Sequence, residues 1–345
     1  MLRTPESAPA RPLIIGHRGA SGYRPEHSES AYRLAFELGA EFVEPDIVAT
    51  SDGVLVVRHE NEISGTTDVA DHEEFRDRRT TKTVDGQSLT GWFTEDFTWD
   101  ELSTLRTRER LPKLRPDSAK HDGEEPILRL SDVLGIIDEE SERAGREFGV
   151  VIEIKHAAYF QAAGLDLVPI LIRELLRSGW NERPARLVIE SFELGALDRV
   201  RESGLRGKLV FLAERIGAPA DEPIGDDPKR SYGWYRSDDG LDLLAGRVHG
   251  ISVAKGDLLR LDALGNAVGP TTLVERAHAR GLSVYTWTLR PENRFLNLGF
   301  RSSLSPSEWG DWSGEFGMIV ESGVDGIFVD HPDLGAQIVA PGFSA

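Results

Sequence analysis

Short apolar runs rich in Val, Ile and Leu alternate with helix-period stretches along nearly the whole chain. That order is expected of a parallel sheet with helices packed outside it. The first run, Leu13–Gly16, ends abruptly in His17-Arg18-Gly19. Ser28 is placed to cap a helix over Glu29–Leu38, with Gly39 as its C-terminal stop. Phe42–Thr50 and Val54–His59 read as two strands joined at Asp52-Gly53, a strong hairpin signal. Further strands are expected at Val150–Lys155, Arg186–Phe192, Lys208–Ala213, Gly250–Ala254, Ser283–Leu289 and Gly326–Asp330. Helices are expected at Leu130–Arg143, Gly164–Ser178, Leu194–Ser203, Leu241–Gly246, Thr272–Arg280 and Glu315–Ser322. Residues 60–125, polar and irregular, read as an insertion, and 215–236 and 290–313 as loops.

Counting the hairpin with the second unit gives about eight strand–helix units. The expected fold is therefore α/β, a TIM (β/α)8 barrel with a hairpin after strand 2 and loop insertions. An open doubly wound sheet is the alternative, because periodicity alone does not prove closure.

Length adds that 345 residues suit one catalytic barrel domain, its core spanning about 13–335, with a flexible polar tail over 1–12. The net charge of −18 argues against nucleic acid or an anionic membrane surface as a partner, since phosphates would be repelled. It leaves room for a small phosphorylated substrate, which needs only a local cluster of cations. With no cysteine, disulfides and thiolate metal sites are excluded. No run approaches the ~18 apolar residues of a membrane span. As written, the chain is expected to be cytoplasmic, or exported if a leader has been removed. Composition does not set an oligomeric state.

The candidate chemistry sits at the strand ends. If Asp52-Gly53 is a two-residue turn, Asp46 falls directly opposite His59, with Cβ atoms roughly 5 Å apart. Glu44, two residues earlier, then projects from the same face. In a barrel the carboxyl ends of the strands line one mouth, and here they carry His17-Arg18, Glu44/Asp46, Glu153/Lys155, Glu190-Ser191 and Trp287. A half-buried hairpin with a polar outer face would also alternate charged residues. Against that, the apolar strand ending in His17-Arg18 falls where such sheets hold ligands.

Glu44, Asp46 and Glu153 gathered at one mouth would repel one another, and a hard divalent cation is the usual resolution. Ligation by oxygen alone suits Mg²⁺ or Ca²⁺. The simpler alternative pairs Glu153 with Lys155 or Arg18. Arg18 and Lys155 are the cations a phosphoryl group would want. His17 and His59 could flank its phosphorus, one taking a proton and the other giving one. The residues thus point to metal-assisted cleavage of a phosphate ester. His72, His121, His156, His249, His278 and His331 read as solvated or structural.

Taken together, His17-Arg18-Gly19, Pro25-Glu26-His27-Ser28, Gly39-Ala40-Glu41-Phe42-Val43-Glu44-Pro45-Asp46, Thr50-Ser51-Asp52-Gly53 and Val56-Val57-Arg58-His59 resemble the glycerophosphodiester phosphodiesterase family. Ile152-Glu153-Ile154-Lys155, Ser191-Phe192, Thr286-Trp287-Thr288 and Gly323-Val324-Asp325-Gly326-Ile327-Phe328-Val329-Asp330 look like its later blocks. The resemblance implies a TIM barrel that hydrolyses small-molecule glycerophosphodiesters to an alcohol and sn-glycerol 3-phosphate. It implies Glu44, Asp46 and Glu153 as ligands of one divalent cation, with His17 and His59 as general base and acid. Arg18 and Lys155 would hold the phosphate, Trp287 would line the pocket, and Glu26 and Glu190 would sit on the substrate side. The long 60–125 segment, with Thr66-Thr67-Asp68-Val69-Ala70, looks like the longer, often exported, calcium-using branch, which favours Ca²⁺ over Mg²⁺.

The chain departs from the family pattern at His27-Ser28, where Asn-Thr is usual, at Glu60 for Asp, and at Glu190 for Gln. Two other functions remain to be weighed. The same site could cleave lysophospholipids as a lysophospholipase D, with Trp309, Trp312 and Phe316 forming an apolar trough; those aromatics could equally anchor a long loop. A catalytically silent ligand-binding barrel would have lost a histidine or an acid, and none is missing.

Overall fold

The structure, a computed structural model, describes residues 11–222 and 230–340, so all but the last two residues of the expected 1–12 tail lie outside it. In chain order the strands are β1 Leu13–His17, β2 Phe42–Glu44, β3 Asp46–Ala49, β4 Leu55–Val57, β5 Thr80–Val84, β6 Gln87–Gly91, β7 Gly149–Ile154, β8 Leu187–Ser191, β9 Lys208–Ala213, β10 Gly250–Ala254, β11 Leu259–Leu261, β12 Ala267–Pro270, β13 Ser283–Leu289 and β14 Gly326–Val329. The helices are α1 Glu29–Glu37, α2 Trp99–Leu102, α3 Leu130–Ala144, α4 Ala157–Ala162, α5 Leu167–Arg177, α6 Leu194–Glu202, α7 Tyr232–Tyr235, α8 Asp238–Ala245, α9 Leu273–His278, α10 Trp312–Glu321 and α11 Pro332–Ile338. The parallel strands run β1, β2 with its continuation β3, then β7, β8, β9, β10, β13 and β14, and β14 pairs back onto β1. The sheet closes, so the fold is the expected TIM barrel and the open-sheet alternative falls away.

Ile15, Val151, Val188, Val210, Tyr285 and Phe328 fill the barrel interior. Side chains alternate along a strand, so the residue two places later faces inward one layer higher. That single rule carries His17, Glu153, Glu190, Trp287 and Asp330 to the carboxyl-end mouth. Phe42 packs on the same inner cluster, and Glu44 stands two residues beyond it. Outside the strands, helix faces build the larger core; Ser28 starts α1 by accepting a hydrogen bond from the Ala31 N–H, as its sequence suggests.

Three expectations need correcting. The single strand Phe42–Thr50 is broken at Pro45 into β2, which pairs with β1, and β3, which follows β7. The hairpin register is one residue away from that expected: Ile47 faces Val57, Val48 faces Val56 and Ala49 faces Leu55. Asp46 therefore lies level with Arg58, whose N–H donates to the Asp46 carbonyl, and not with His59. The cause is Thr50. Its N–H donates to the Val54 carbonyl and its hydroxyl to Asp52 Oδ1 at 2.6 Å, so Ser51-Asp52-Gly53 make a three-residue loop.

The third correction concerns residues 60–125. They carry the β5–β6 hairpin and bury Phe93, Phe97, Leu102 and Leu105 completely. At roughly 1.5–3 kcal/mol per buried side chain, they contribute to the stability of the barrel rather than hang from it. Outside that insertion, the helices α4, α7 and α11 and the strands β11 and β12 also escaped the pattern, each shorter than the window over which a period can be counted.

Candidate active site

Register between neighbouring strands sets the acids side by side. His17 pairs with Glu44 across β1–β2, Asp46 with Glu153 across β3–β7, and Glu153 with Glu190 across β7–β8. Glu44, Glu153 and Glu190 are buried and offer carboxylate oxygens that all lie within 4.8 Å of one another. Asp46, expected as the third ligand, stands outside that set. His27 Nε2–H donates to its Oδ2 at 3.0 Å, and Arg18 Nε lies 3.3 Å from the same oxygen. Its other oxygen, Oδ1, is buried with no hydrogen-bond partner and lies 3.6 Å from Lys155 Nζ. Glu190, expected on the substrate side, instead completes the acid cluster.

The cluster is electrostatically unfinished. Burial, then the neighbouring carboxylates, push Glu44 and Glu190 well above the usual acid range, and Glu153 is raised to about 8. Burial would raise Asp46 as well, but Lys155, Arg18 and the hydrogen bond from His27 overcome it and hold that carboxyl ionised. Glu153 Oε1 is ion-paired with Lys155 Nζ at 2.7 Å, the pairing that the simpler alternative expected, and Glu190 Oε2 has no partner. Buried carboxylate oxygens left without donors are what a hard cation would satisfy. The donor set thus fits a divalent ion, with Glu44, Glu153 and Glu190 as the group and Asp46 at its edge.

The histidines are finished by contrast. His17 Nδ1–H donates to Asp330 Oδ1 at 2.7 Å, which leaves Nε2 as the basic nitrogen. Asp330 Oδ2 in turn accepts from Arg115 and from Arg290, each at 2.6 Å. Burial and the adjacent Arg18 lower His17 to about 4, so its ring is neutral. His59 Nδ1–H donates to Glu60 Oε1 at 2.5 Å, and Arg110 bridges Glu60 to Glu26. Burial, Arg18 and Lys155 lower His59 to about 3. Although β4 does not aim His59 at Asp46, the chain leaving β4 brings it within electrostatic reach of Asp46, Arg18 and Lys155.

Arg18 is held at φ 57° by its own N–H, which donates to Glu44 Oε2 at 2.9 Å. The next residue must be glycine, because a Cβ on Gly19 would sit 2.6 Å from the Ala31 backbone. Glu26, expected on the substrate side, is buried between Arg18 and Arg110. Lys155 Nζ lies 5.6 Å from the Phe192 ring, which meets the edge of Trp287 at 5.8 Å. Trp287 also lines, with Arg290 and Leu261, a cavity of about 330 Å³ whose wall includes neither histidine nor the acid cluster.

Arg110, Arg115, Arg290, Asp330 and His27 were not assigned roles from sequence. Asp330 stood in a recognised block, and its place two residues beyond inward-facing Phe328 is the signal that could have found it. His331 and His156 are structural, the first packed on Tyr23 and Trp309, the second paired with Asp85 at 2.6 Å. Phe316 is buried and Trp312 packs against it, so this part of the aromatic stretch anchors the loop.

The model of the glycerophosphoryl diester phosphodiesterase family matches residues 17–334. A glycerophosphodiester phosphodiesterase of Arabidopsis thaliana is 33% identical over 335 residues, covering 93% of this chain and 84% of that protein. One from Haemophilus influenzae is 24% identical over 345 residues, covering 95% and 89%. Among solved structures, an Oleispira antarctica phosphodiesterase in complex with the product sn-glycerol-3-phosphate superposes with a TM-score of 0.58 at 17% identity, covering 95% of this chain and 97% of that one. A glycerophosphodiester phosphodiesterase from Thermotoga maritima gives 0.53 at 17% identity, covering 96% and 99%.

Proposed function

The chain belongs to the glycerophosphoryl diester phosphodiesterase family, and from that premise we propose that it hydrolyses glycerophosphodiesters to an alcohol and sn-glycerol 3-phosphate. One observation carries the reading: two neutral imidazoles, each fixed through Nδ1 by a carboxylate, flank a buried acid cluster with two cations beside it. A divalent ion held by Glu44, Glu153 and Glu190, with Asp46 alongside, would supply positive charge for a phosphoryl oxygen. Calcium is favoured over magnesium by the likeness of the long insertion to the calcium-using branch.

Arg18 and Lys155 would orient the phosphodiester monoanion between the histidines. His17 Nε2 is available to take the proton of the attacking oxygen. His59 would protonate the leaving alcohol. A phosphate anion lying on Arg18 and Lys155 would offset the two cations that depress the His59 ring, so substrate binding itself would help to charge the acid.

The test removes bound ions with a chelator, restores Ca²⁺, Mg²⁺ or Mn²⁺ separately, and follows glycerol 3-phosphate release from a panel of headgroup diesters. His17→Ala and His59→Ala are expected to lower kcat by about 10²–10⁴-fold with the fold retained by circular dichroism. Full turnover in either variant would overturn the acid–base pair, and full turnover in chelator would overturn the metal.

A further inference from the structure

The carboxylates that orient the two histidines are both held from one short segment of the 60–125 insertion. Arg110 spreads its guanidinium over two acids: Nε and Nη2 donate to Glu26 at 2.7 and 2.6 Å, and Nη1 and Nη2 donate to Glu60 at 3.0 and 2.6 Å. Glu60 in turn accepts from His59 Nδ1–H. Arg115 donates to Asp330, the partner of His17, at 2.6 Å and to Glu292 at 2.7 Å. Each imidazole thus reaches the same stretch of chain through one carboxylate and one guanidinium.

That stretch is stiffened by its own sequence. Pro112 fixes φ at the first inner position of a turn closed by the Leu114 N–H, which donates to the Leu111 carbonyl at 2.8 Å. The Arg115 N–H donates to the same carbonyl at 2.9 Å, and the Leu111 N–H to Glu109 Oε1 at 2.7 Å. Leu105, just ahead of the segment, is fully buried in the larger core, so the arginines stand on a fixed base.

Stability alone does not account for Arg110. Its side chain and that of Glu60 are 29% and 31% exposed, where an ion pair adds roughly 0–1 kcal/mol. What the pair supplies is direction. Glu60 stands where the family pattern has Asp, and its extra methylene adds a torsion that would let the carboxylate swing, and His59 with it. Arg110 takes both Glu60 oxygens and removes that freedom. Glu26 grips the guanidinium from the other side and is itself held by Arg18 at 3.0 Å.

We propose that Arg110 and Arg115 are positioning residues for the two halves of the reaction: Arg110 aims the His59 acid through Glu60, and Arg115 aims the His17 base through Asp330. Carried on one turn, they fix the spacing between the imidazoles. This rests on the two-histidine reaction proposed above.

The test compares two diesters in the full chain. Glycerophosphocholine expels an alkoxide and needs the His59 proton, whereas the p-nitrophenyl diester of glycerol 3-phosphate expels a weakly basic phenolate and does not. Arg110→Gln is expected to lower kcat for the choline diester about tenfold, with KM within about twofold, and to lower the p-nitrophenyl rate far less. Both diesters need the base, so Arg115→Gln is expected to lower both kcat values by a similar factor. Arg115→Lys, which keeps the charge, carries that arm if Arg115→Gln does not fold. Adding Arg110→Gln to Glu60→Gln is expected to cost less than about twofold more, because the two act in series. For Arg110→Gln, no loss, equal losses on both diesters, a KM rise without a fall in kcat, or full additivity with Glu60→Gln overturns the proposal. So does a loss confined to the choline diester in the Arg115 variants. His59→Ala separates the two levels. If it shows the choline-selective loss and Arg110→Gln does not, the positioning alone fails; if His59→Ala is not choline-selective, the acid assignment itself fails.

Discussion

The two halves of the mouth are built on opposite principles. On the β2, β7 and β8 side, Glu44, Glu153 and Glu190 are buried against one another, with Glu190 Oε2 left without a partner and one lysine as the only cation on Glu153 among the described residues. On the β1 and β14 side, His17, Asp330, Arg115, Arg290 and Glu292 form a network in which most polar atoms have a charged partner. The difference separates a place for a ligand from a frame for a catalyst. Groups that position an imidazole must be satisfied before substrate arrives, whereas groups that bind a cation must wait for it.

The largest effect expected from breaking that contrast comes from the satisfied side. Arg115→Gln removes a guanidinium shared by Glu292 and Asp330, both buried, and leaves two carboxylates short of a donor. A loss of about 3 kcal/mol in denaturant-measured stability is expected. A change under about 0.5 kcal/mol would mean that the network is decorative.

A smaller effect, read in kinetics, is expected from Asp330→Asn. The substitution keeps the shape but weakens the hold on the Nδ1–H tautomer of His17, so kcat is expected to fall roughly 10–100-fold. KM is expected to hold, because Asp330 touches the histidine and not the diester. If KM rises while kcat stays put, Asp330 belongs to substrate binding instead.

How much of this was legible depended on period and distance. His17, Glu44, Glu153, Glu190 and Trp287 stand at strand ends, two residues beyond inward apolar positions, with Lys155 one step further on the same face as Glu153, and a period of two shows that in any strand. Asp46 was legible as an acid at the mouth, but not its capture by His27, since His27 reaches it from a loop at φ 59°. The hairpin register failed because Thr50 side-chain bonds are invisible in an Asp-Gly signal. Arg110 and Arg115 were beyond reach: nothing local in a polar insertion says which cation folds back over a mouth some fifty or more residues away in sequence. Glu190 was seen as an added carboxylate, yet its membership of the cluster required the β7–β8 register.

Glu190 also gives the subtlest test of the contrast, because its expected sign is reversed. Burial and Glu153 raise its folded pKa above the ordinary 4.5, and Glu153 itself is raised to about 8. A raised acid stabilises the fold while it holds its proton, so the Glu190 contribution is present below pH 4.5 and is lost as pH climbs through its raised folded value. In chelator-treated protein, Glu190→Gln therefore leaves stability nearly unchanged near pH 4.5 and raises it by about 1 kcal/mol near pH 8. Adding a divalent ion at pH 8 is expected to reverse the order, since the wild type gains a ligand the variant has lost. Thermal unfolding at both pH values, with and without Ca²⁺, reads all four states. If Glu190→Gln destabilised the metal-free protein at pH 8, the acid cluster would be as satisfied as the arginine network, and the asymmetry between the two halves would vanish.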